Sequence, residues 1–268
     1  MRDETRPLPF AAAARAIFDL ALDGMVFSRR SLLMGLLVAA PLAFAVLYRF
    51  LAATHGRPPL GPQDLYTLMV AVYWIRNVLP LAALFYATAL IADEVENRTL
   101  TYLLTRPLTR ASIIAGKFAA YVATTFTLAL PAAVLTFFAL MTARDAPALG
   151  PMAGDLLRDL GVMLLTLVAY GAFFALLGVL LKRPVIPGLL FLYGWELLAN
   201  VPGYLPRLTL TAWLRSLIPY RPAEEGLSGL FQQVLPADQA LVVLVAASLL
   251  FLGAAIWIFS HREYVLDQ

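Results

Sequence analysis

The side chains able to do bond chemistry are few in this sequence, and they are not grouped for it. Asp93, Glu94 and Glu96 form the one carboxylate cluster. Acid–base or metal-assisted catalysis needs a proton carrier or further ligands on the same face. No histidine accompanies this cluster, and its spacing does not gather ligands on one side of a helix. His55 and His261 are the only histidines and lie far apart, and cysteine is absent. Disulfides, iron–sulfur clusters and thiolate metal sites are thereby excluded, and binding of a soft metal ion is disfavoured. A phosphate-cradling loop needs Gly-x-x-x-x-Gly-Lys-[Ser/Thr], so that backbone N–H groups face the phosphates. The only Gly-Lys, Gly116-Lys117, is followed by Phe118, and Ala111 stands where the first glycine belongs.

Two charges interrupt apolar runs instead. Arg76 falls in one long run and Glu196 in another, with Asn77 and Asn200 at a similar nominal depth. A lone charge at the centre of a bilayer costs about 2.5–3.5 kcal/mol on insertion scales. Three arrangements would lower that cost: an ion pair facing the bundle interior, a polar lining of a translocation path, or snorkelling to the outer surface.

The elements that must hold these residues are membrane helices. Residues of the set AVILMFWYC make up 61% of the 268 residues and charged residues only 14%, against about 45–50% and 25% in soluble domains. About 20 residues cross the hydrocarbon as a helix. Six runs qualify: Ser31–Tyr48, Leu68–Ala92, Phe118–Ala143, Leu160–Leu181, Pro184–Pro206 and Gln239–Ser260. The alternating ten-residue segments of a membrane barrel are missing. Pro41, Pro80, Pro131 and Pro187 predict kinks within the runs. Gly171, Ala175 and Gly178 give the fourth run a small face that another helix can approach. Before the first run, Phe10–Phe27 reads as an amphipathic helix in the membrane interface, with Arg15, Asp19 and Asp23 on its polar side. Charges interrupt the N-terminal stretch, so it does not read as a secretory signal and is expected to remain in the mature chain.

Six spans put both termini on one side, and basic residues choose which. An N-in arrangement places Arg2, Arg6, Arg15, Arg29, Arg30, Arg98, Arg106, Arg110, Lys117, Lys182, Arg183 and Arg262 inside. It leaves Arg49, Arg57, Arg144, Arg158, Arg207, Arg215 and Arg221 outside. The asymmetry predicts cytoplasmic termini. The fold class is therefore all-α: a polytopic membrane protein of six transmembrane helices. Residues 1–30 form the N-terminal interfacial region, 31–260 the membrane domain and 261–268 a cytoplasmic tail. The outer loop 201–238 contains apolar stretches at Leu208–Tyr220 and Leu227–Leu235 that suit short interfacial helices, acting as a gate or as a passive cap. The small positive balance suits anionic lipid headgroups rather than nucleic acid.

The inner loop after the second run is the most informative segment. Its acidic opening, Asp93, Glu94 and Glu96, is followed by Leu100, Leu103 and Leu104 at helical spacing, with Arg98, Thr101 and Thr105 between them. Pro107 stops that turn and Thr109 can cap the next helix. The result is either a short amphipathic helix that docks into a partner groove or a plain loop with one turn of helix. The pattern Asp93-Glu94-x-Glu96-x-x-Thr99-Leu100-x-x-Leu103-Leu104-x-Arg106-Pro107-x-x-Arg110, then Gly116-Lys117, resembles the segment after the second span of type-2 ABC permeases. These are the membrane subunits of ATP-binding-cassette exporters. The run Phe191 to Asn200, with Trp195, Glu196 and then Pro202-Gly203, is similar to one branch of that family.

The resemblance implies that segment 93–113 is a coupling helix seated on a separate ATPase subunit. Glu94, Glu96, Arg98, Thr99, Leu100, Leu103, Leu104, Arg106, Pro107 and Arg110 are then its coupling residues. It further implies two permease subunits, as a homo- or heterodimer, with two ATPase subunits in the cell membrane. ATP and Mg2+ belong to the ATPase, and this chain needs no cofactor of its own and catalyses no reaction. Leu227-Ser228-Gly229 matches part of an ABC signature but falls in the outer loop, where it is coincidental. The rival readings are a membrane scaffold that moves nothing and an intramembrane lipid-modifying enzyme. The substrate is not legible.

Overall fold

Lipid offers no partner for backbone N–H and C=O groups, so long apolar runs satisfy them internally as helices. The computed structural model describes residues 9–26, 29–55, 60–96, 109–142, 149–201, 203–218 and 235–261. Every regular element among them is helical. Helix α1 spans Phe10–Val26 and α2 spans Arg29–His55. Next come α3, Pro62–Leu68, a π-helical stretch, Met69–Val78, and α4, Leu79–Glu96, which follow one another without a break. Helices α5, Arg110–Met141, and α6, Leu149–Leu180, are the longest. A broken stretch follows: α7, Val185–Tyr193, a 3₁₀ turn at Trp195–Asn200 and another at Leu205–Leu208. Helix α8, Leu210–Ser216, and α9, Ala237–His261, complete the order.

Five of the six expected spans are single helical stretches long and apolar enough to cross a membrane. The fifth expected span, Pro184–Pro206, is not continuous. Its longest helical part is Val185–Asn200, and the α-helix within it stops at Gly194. A Cβ at Gly194 would lie 2.5 Å from Leu190 O, so this tight end needs a residue without one. Beyond it the chain tightens into 3₁₀ turns and reverses near Gly203, whose φ of 105° suits a residue without Cβ.

The π-helical stretch has a local cause at its C-terminal end. Pro80 has no N–H to give the carbonyl of residue 76, and its ring crowds that carbonyl. The ladder before it runs in wider steps, with the Leu79 N–H bonding to Trp74 O, five residues back.

The core lies between the α3–π–α4 stretch and α6, whose apolar windows are 61% and 67% buried, whereas those of α2 and α9 are 22% and 17% buried. Glycines allow the closest approaches. A Cβ at Gly178 would meet the Thr88 backbone, and one at Gly171 would meet the Tyr121 ring. The small face expected on the fourth span is thus used by two neighbours. Helix α1 turns Ala13 and Ile17 inward against the start of α5. Gly116 permits this contact, since a Cβ there would strike Ala14 O and Ile17. Arg15, Asp19 and Asp23 are exposed on the opposite side of α1.

Cross-helix bonds fix which helix ends share a level. Ser31 Oγ, near the start of α2, lies 2.7 Å from the Tyr86 hydroxyl of α4. Lys117 Nζ of α5 donates to Leu90 O of α4 at 3.0 Å. Arg110 of α5 donates to Phe259 O and Ser260 O near the end of α9. The start of α2, the later part of α4, the start of α5 and the end of α9 therefore meet at one end of the bundle, called here the loop end.

Candidate functional site: a polar cavity and the loop end

The apolar broken stretch needs something to satisfy the first N–H groups of α8, which have no partner within the helix. Glu196 supplies it. Its Oε1 accepts the Leu210 N–H at 3.2 Å and its Oε2 accepts the Thr211 N–H at 3.0 Å. The Thr209 side chain accepts the next one, from Ala212, at 3.3 Å. The first three donors of α8 are thus satisfied by two side chains, one of them charged and favourably placed at a helix N-terminus. Glu196 is only 6% exposed. A buried carboxylate becomes tolerable when hydrogen bonds replace its lost water.

Around this carboxylate lies an enclosed cavity of about 30 Å³, lined by Arg76, Asn77, Tyr170, Leu192, Tyr193, Glu196, Leu197 and Thr211. That volume holds one water molecule. Arg76 and Asn77 come from the π-helical stretch, and Asn77 Nδ2 donates to Val72 O at 2.6 Å. Tyr170 projects from the middle of α6, and its hydroxyl lies 2.8 Å from Thr211 Oγ1. Of the four intramembrane polar residues picked from sequence, Arg76, Asn77 and Glu196 share the cavity. Asn200 does not line it; its Oδ1 accepts from Arg215 Nη1 at 2.9 Å. The Glu196 carboxylate accepts from the backbone of α8, and among the described residues no direct ion pair joins it to Arg76. Snorkelling does not describe Glu196, which is buried.

Tyr170 and Thr211 were not legible as partners. Tyr170 sits in a run chosen for having no charge, and Thr211 in a loop expected to rest at the interface. One available signal was Thr209, a capping residue directly before Leu210-Thr-Ala-Trp-Leu214. The short helix expected within Leu208–Tyr220 exists as α8, but Leu210, Thr211, Trp213 and Leu214 are buried against the bundle. A wider groove of about 640 Å³ runs between α6, the end of α8 and α9, lined chiefly by aliphatic side chains with Arg158 at its edge.

At the loop end, Thr109 caps α5 as expected, its Oγ1 accepting the Ser112 N–H at 3.3 Å. Glu94 and Glu96 belong to the last turns of α4. Arg98, Thr99, Leu100, Leu103, Leu104, Arg106 and Pro107 lie outside the described residues, as do residues 227–234 of the expected stretch Leu227–Leu235. Arg110 Nη1 donates to Phe259 O at 3.3 Å and to Ser260 O at 3.2 Å. Both acceptors belong to the last turn of α9, where a cation is favoured. Arg49 does the same at the other end, donating to Ala139 O at 3.2 Å and Thr142 Oγ1 at 2.7 Å beside the end of α5. No group of three or more metal-ligating side chains occurs among the described residues.

Comparison with curated proteins returns no match. The family model of the ABC-2 family transporter protein matches residues 63–264, from α3 through the end of α9 and well over half of the chain. With its apolar helices and its resemblance in the loop after the second span, this chain belongs to the ABC-2 family of transporter membrane proteins, the type-2 ABC permeases.

Proposed function

We propose that the chain is the permease subunit of an ATP-binding-cassette exporter, driven by a separate ATPase subunit that docks on segment 93–113. The family match supports the permease role. The observation that carries the docking reading is where the segment is anchored. Residues 97–108 join the end of α4 to the start of α5, and both helices contribute to the buried core. A partner that grips this segment pulls on two core helices at once, without reaching into the membrane. Leu100, Leu103 and Leu104 are the anchors. Glu94, Glu96, Arg98, Thr99, Arg106 and Pro107 set the register and the stop of the segment, as the family pattern implies. Two such permeases, identical or not, pair with two ATPase subunits, which hold the ATP and Mg2+. Surrounding lipids are the remaining partners.

Burying one leucine contributes about 1.5–3 kcal/mol. An unpaired carboxylate in its place reverses that sign and adds a desolvation penalty. Leu103→Asp is expected to abolish copurification of the ATPase with tagged permease while membrane-fraction yield stays at the wild-type level. Retained ATPase association in Leu103→Asp and in Leu100→Asp would overturn the docking reading.

The basic asymmetry puts the loop end, and both termini, in the cytoplasm. Reporter fusions at Gln268 and within 143–154 are expected to read opposite sides of the membrane. The same side for both would remove this orientation.

A further inference from the structure

The wide groove between α6, the end of α8 and α9 shares no residue with the polar cavity. Its α6 wall follows one helical face, where Arg158, Gly161, Leu165 and Val168 recur at steps of three and four residues. The order along this face is a cation, then a residue with no side chain, then aliphatic side chains. A Cβ at Gly161 would meet nothing within 4 Å, so open space begins one turn below Arg158. Ile218, buried, lies at the floor, and the exposed Leu241 of α9 lines the facing wall.

The depth of the groove matches one leaflet. Gly178 of α6 packs on the Thr88 backbone, close to Leu90, the residue that Lys117 bonds. The end of α6 at Leu180 is therefore at the loop end. Arg158 stands about 33 Å from it along the helix, at about 1.5 Å per residue, and the hydrocarbon is about 30 Å thick. That puts the guanidinium just past the hydrocarbon, at the level of the phosphates of the far leaflet. Val168 lies about 15 Å deeper, half the hydrocarbon thickness. Arg158 is exposed, and among the described residues no hydrogen bond or ion pair holds it. Asp155 and Asp238 belong to the same end but do not line the groove.

We infer that the groove is a binding site for one anionic phospholipid of the leaflet opposite the loop end, with an acyl chain between α6 and α9 and the phosphate on Arg158. A guanidinium offers a phosphate a planar fork of donors. Each buried methylene of the chain gains from the aliphatic walls. The groove volume, about 640 Å³, is in the range of small-molecule sites, about 300–1,000 Å³. The inference does not depend on where the ATPase docks, and the orientation of the chain decides only which leaflet supplies the lipid.

The test uses the full permease in phosphatidylcholine vesicles. Phosphatidylglycerol with a diazirine in one acyl chain is added as a tracer, and its adducts are mapped by mass spectrometry. Diacylglycerol with the same diazirine chain presents the apolar part without the phosphate. Adducts on α2 at the exposed Leu36 and Leu47 report ordinary boundary lipid. Phosphatidylglycerol is expected to label the groove, at Leu165 and Leu241, about fivefold more than diacylglycerol does, the factor one basic residue contributes near a charged lipid surface. The two lipids should label α2 equally. Arg158→Gln should bring phosphatidylglycerol in the groove down to the level of diacylglycerol. Gly161→Trp, which fills the open space from an exposed position, should remove the groove adducts of both lipids and leave those on α2 and the unfolding midpoint unchanged.

Equal labelling of the wild-type groove by the two lipids, or labelling that Arg158→Gln does not change, would leave ordinary boundary lipid and overturn the site. Absence of groove adducts from the wild type would also overturn it, because another part of the permease or a second copy would then fill the groove. Groove adducts that persist in a folded Gly161→Trp protein would place the lipid elsewhere. Arg158→Gln changes an exposed side chain, so it tests the site whatever Gly161→Trp does to folding.

Discussion

Two polar regions of the bundle solve the same problem in opposite ways. At the cavity, Glu196 gives a buried anion to the unpaired N–H groups that begin a helix. At the loop end, the half-buried guanidinium of Arg110 donates to two carbonyls in the last turn of one. The first contact is enclosed, made by both carboxylate oxygens, and surrounded by Arg76, Tyr170 and Thr211. The second is open and made through one guanidinium nitrogen. Enclosure raises the free-energy cost of losing a partner, because water cannot replace it. Losing the enclosed contact is therefore expected to cost more than losing the open one.

The largest effect is expected at the cavity. Glu196→Ala leaves two buried N–H donors without partners at about 1–3 kcal/mol each. Detergent-solubilised protein should lose about 3 kcal/mol of stability, seen as a lower unfolding midpoint. Arg76 then tests whether the 30 Å³ gap carries an interaction through one water. Arg76→Leu and Glu196→Gln, alone and together, should show a coupling of at least about 0.5 kcal/mol. A coupling of zero would leave Glu196 as a helix cap only and Arg76 as an unrelated lining residue. The smallest change in stability is expected for Arg110→Gln, about 1 kcal/mol, the net worth of an ordinary hydrogen bond. A loss as large as that of Glu196→Ala would erase the contrast between the two regions.

Much of this architecture was legible because lipid imposes it. Charge-free runs such as Gln239–Ser260 and Leu160–Leu181 can satisfy their backbones only as helices, and they form α9 and α6. Thr109 and the polar face at Arg15, Asp19 and Asp23 were legible for equally local reasons. The broken stretch was not. An apolar count over Pro184–Pro206 does not register that Gly194 ends the helix and that the chain turns back at Gly203. The partner of Glu196 was hidden for a different reason. Sequence suggests pairing a buried anion with a cation, but the donors are backbone N–H groups, which every residue but proline has. Arg110 was legible as a notable charge within a family pattern. Its bonds to the end of α9 depend on a contact 149 residues away.

The account stands most directly on whether segment 93–113 touches the ATPase. Leu103→Cys, the sole cysteine in the chain, can be armed with a short photo-crosslinker in membranes containing the ATPase subunits. The account predicts one principal adduct, of permease with ATPase, formed from residue 103 and absent when the cysteine is placed at the exposed Leu249 of α9. Adducts of the ATPase from α1 or from the Lys182-Arg183 turn, with none from residue 103, would contradict it.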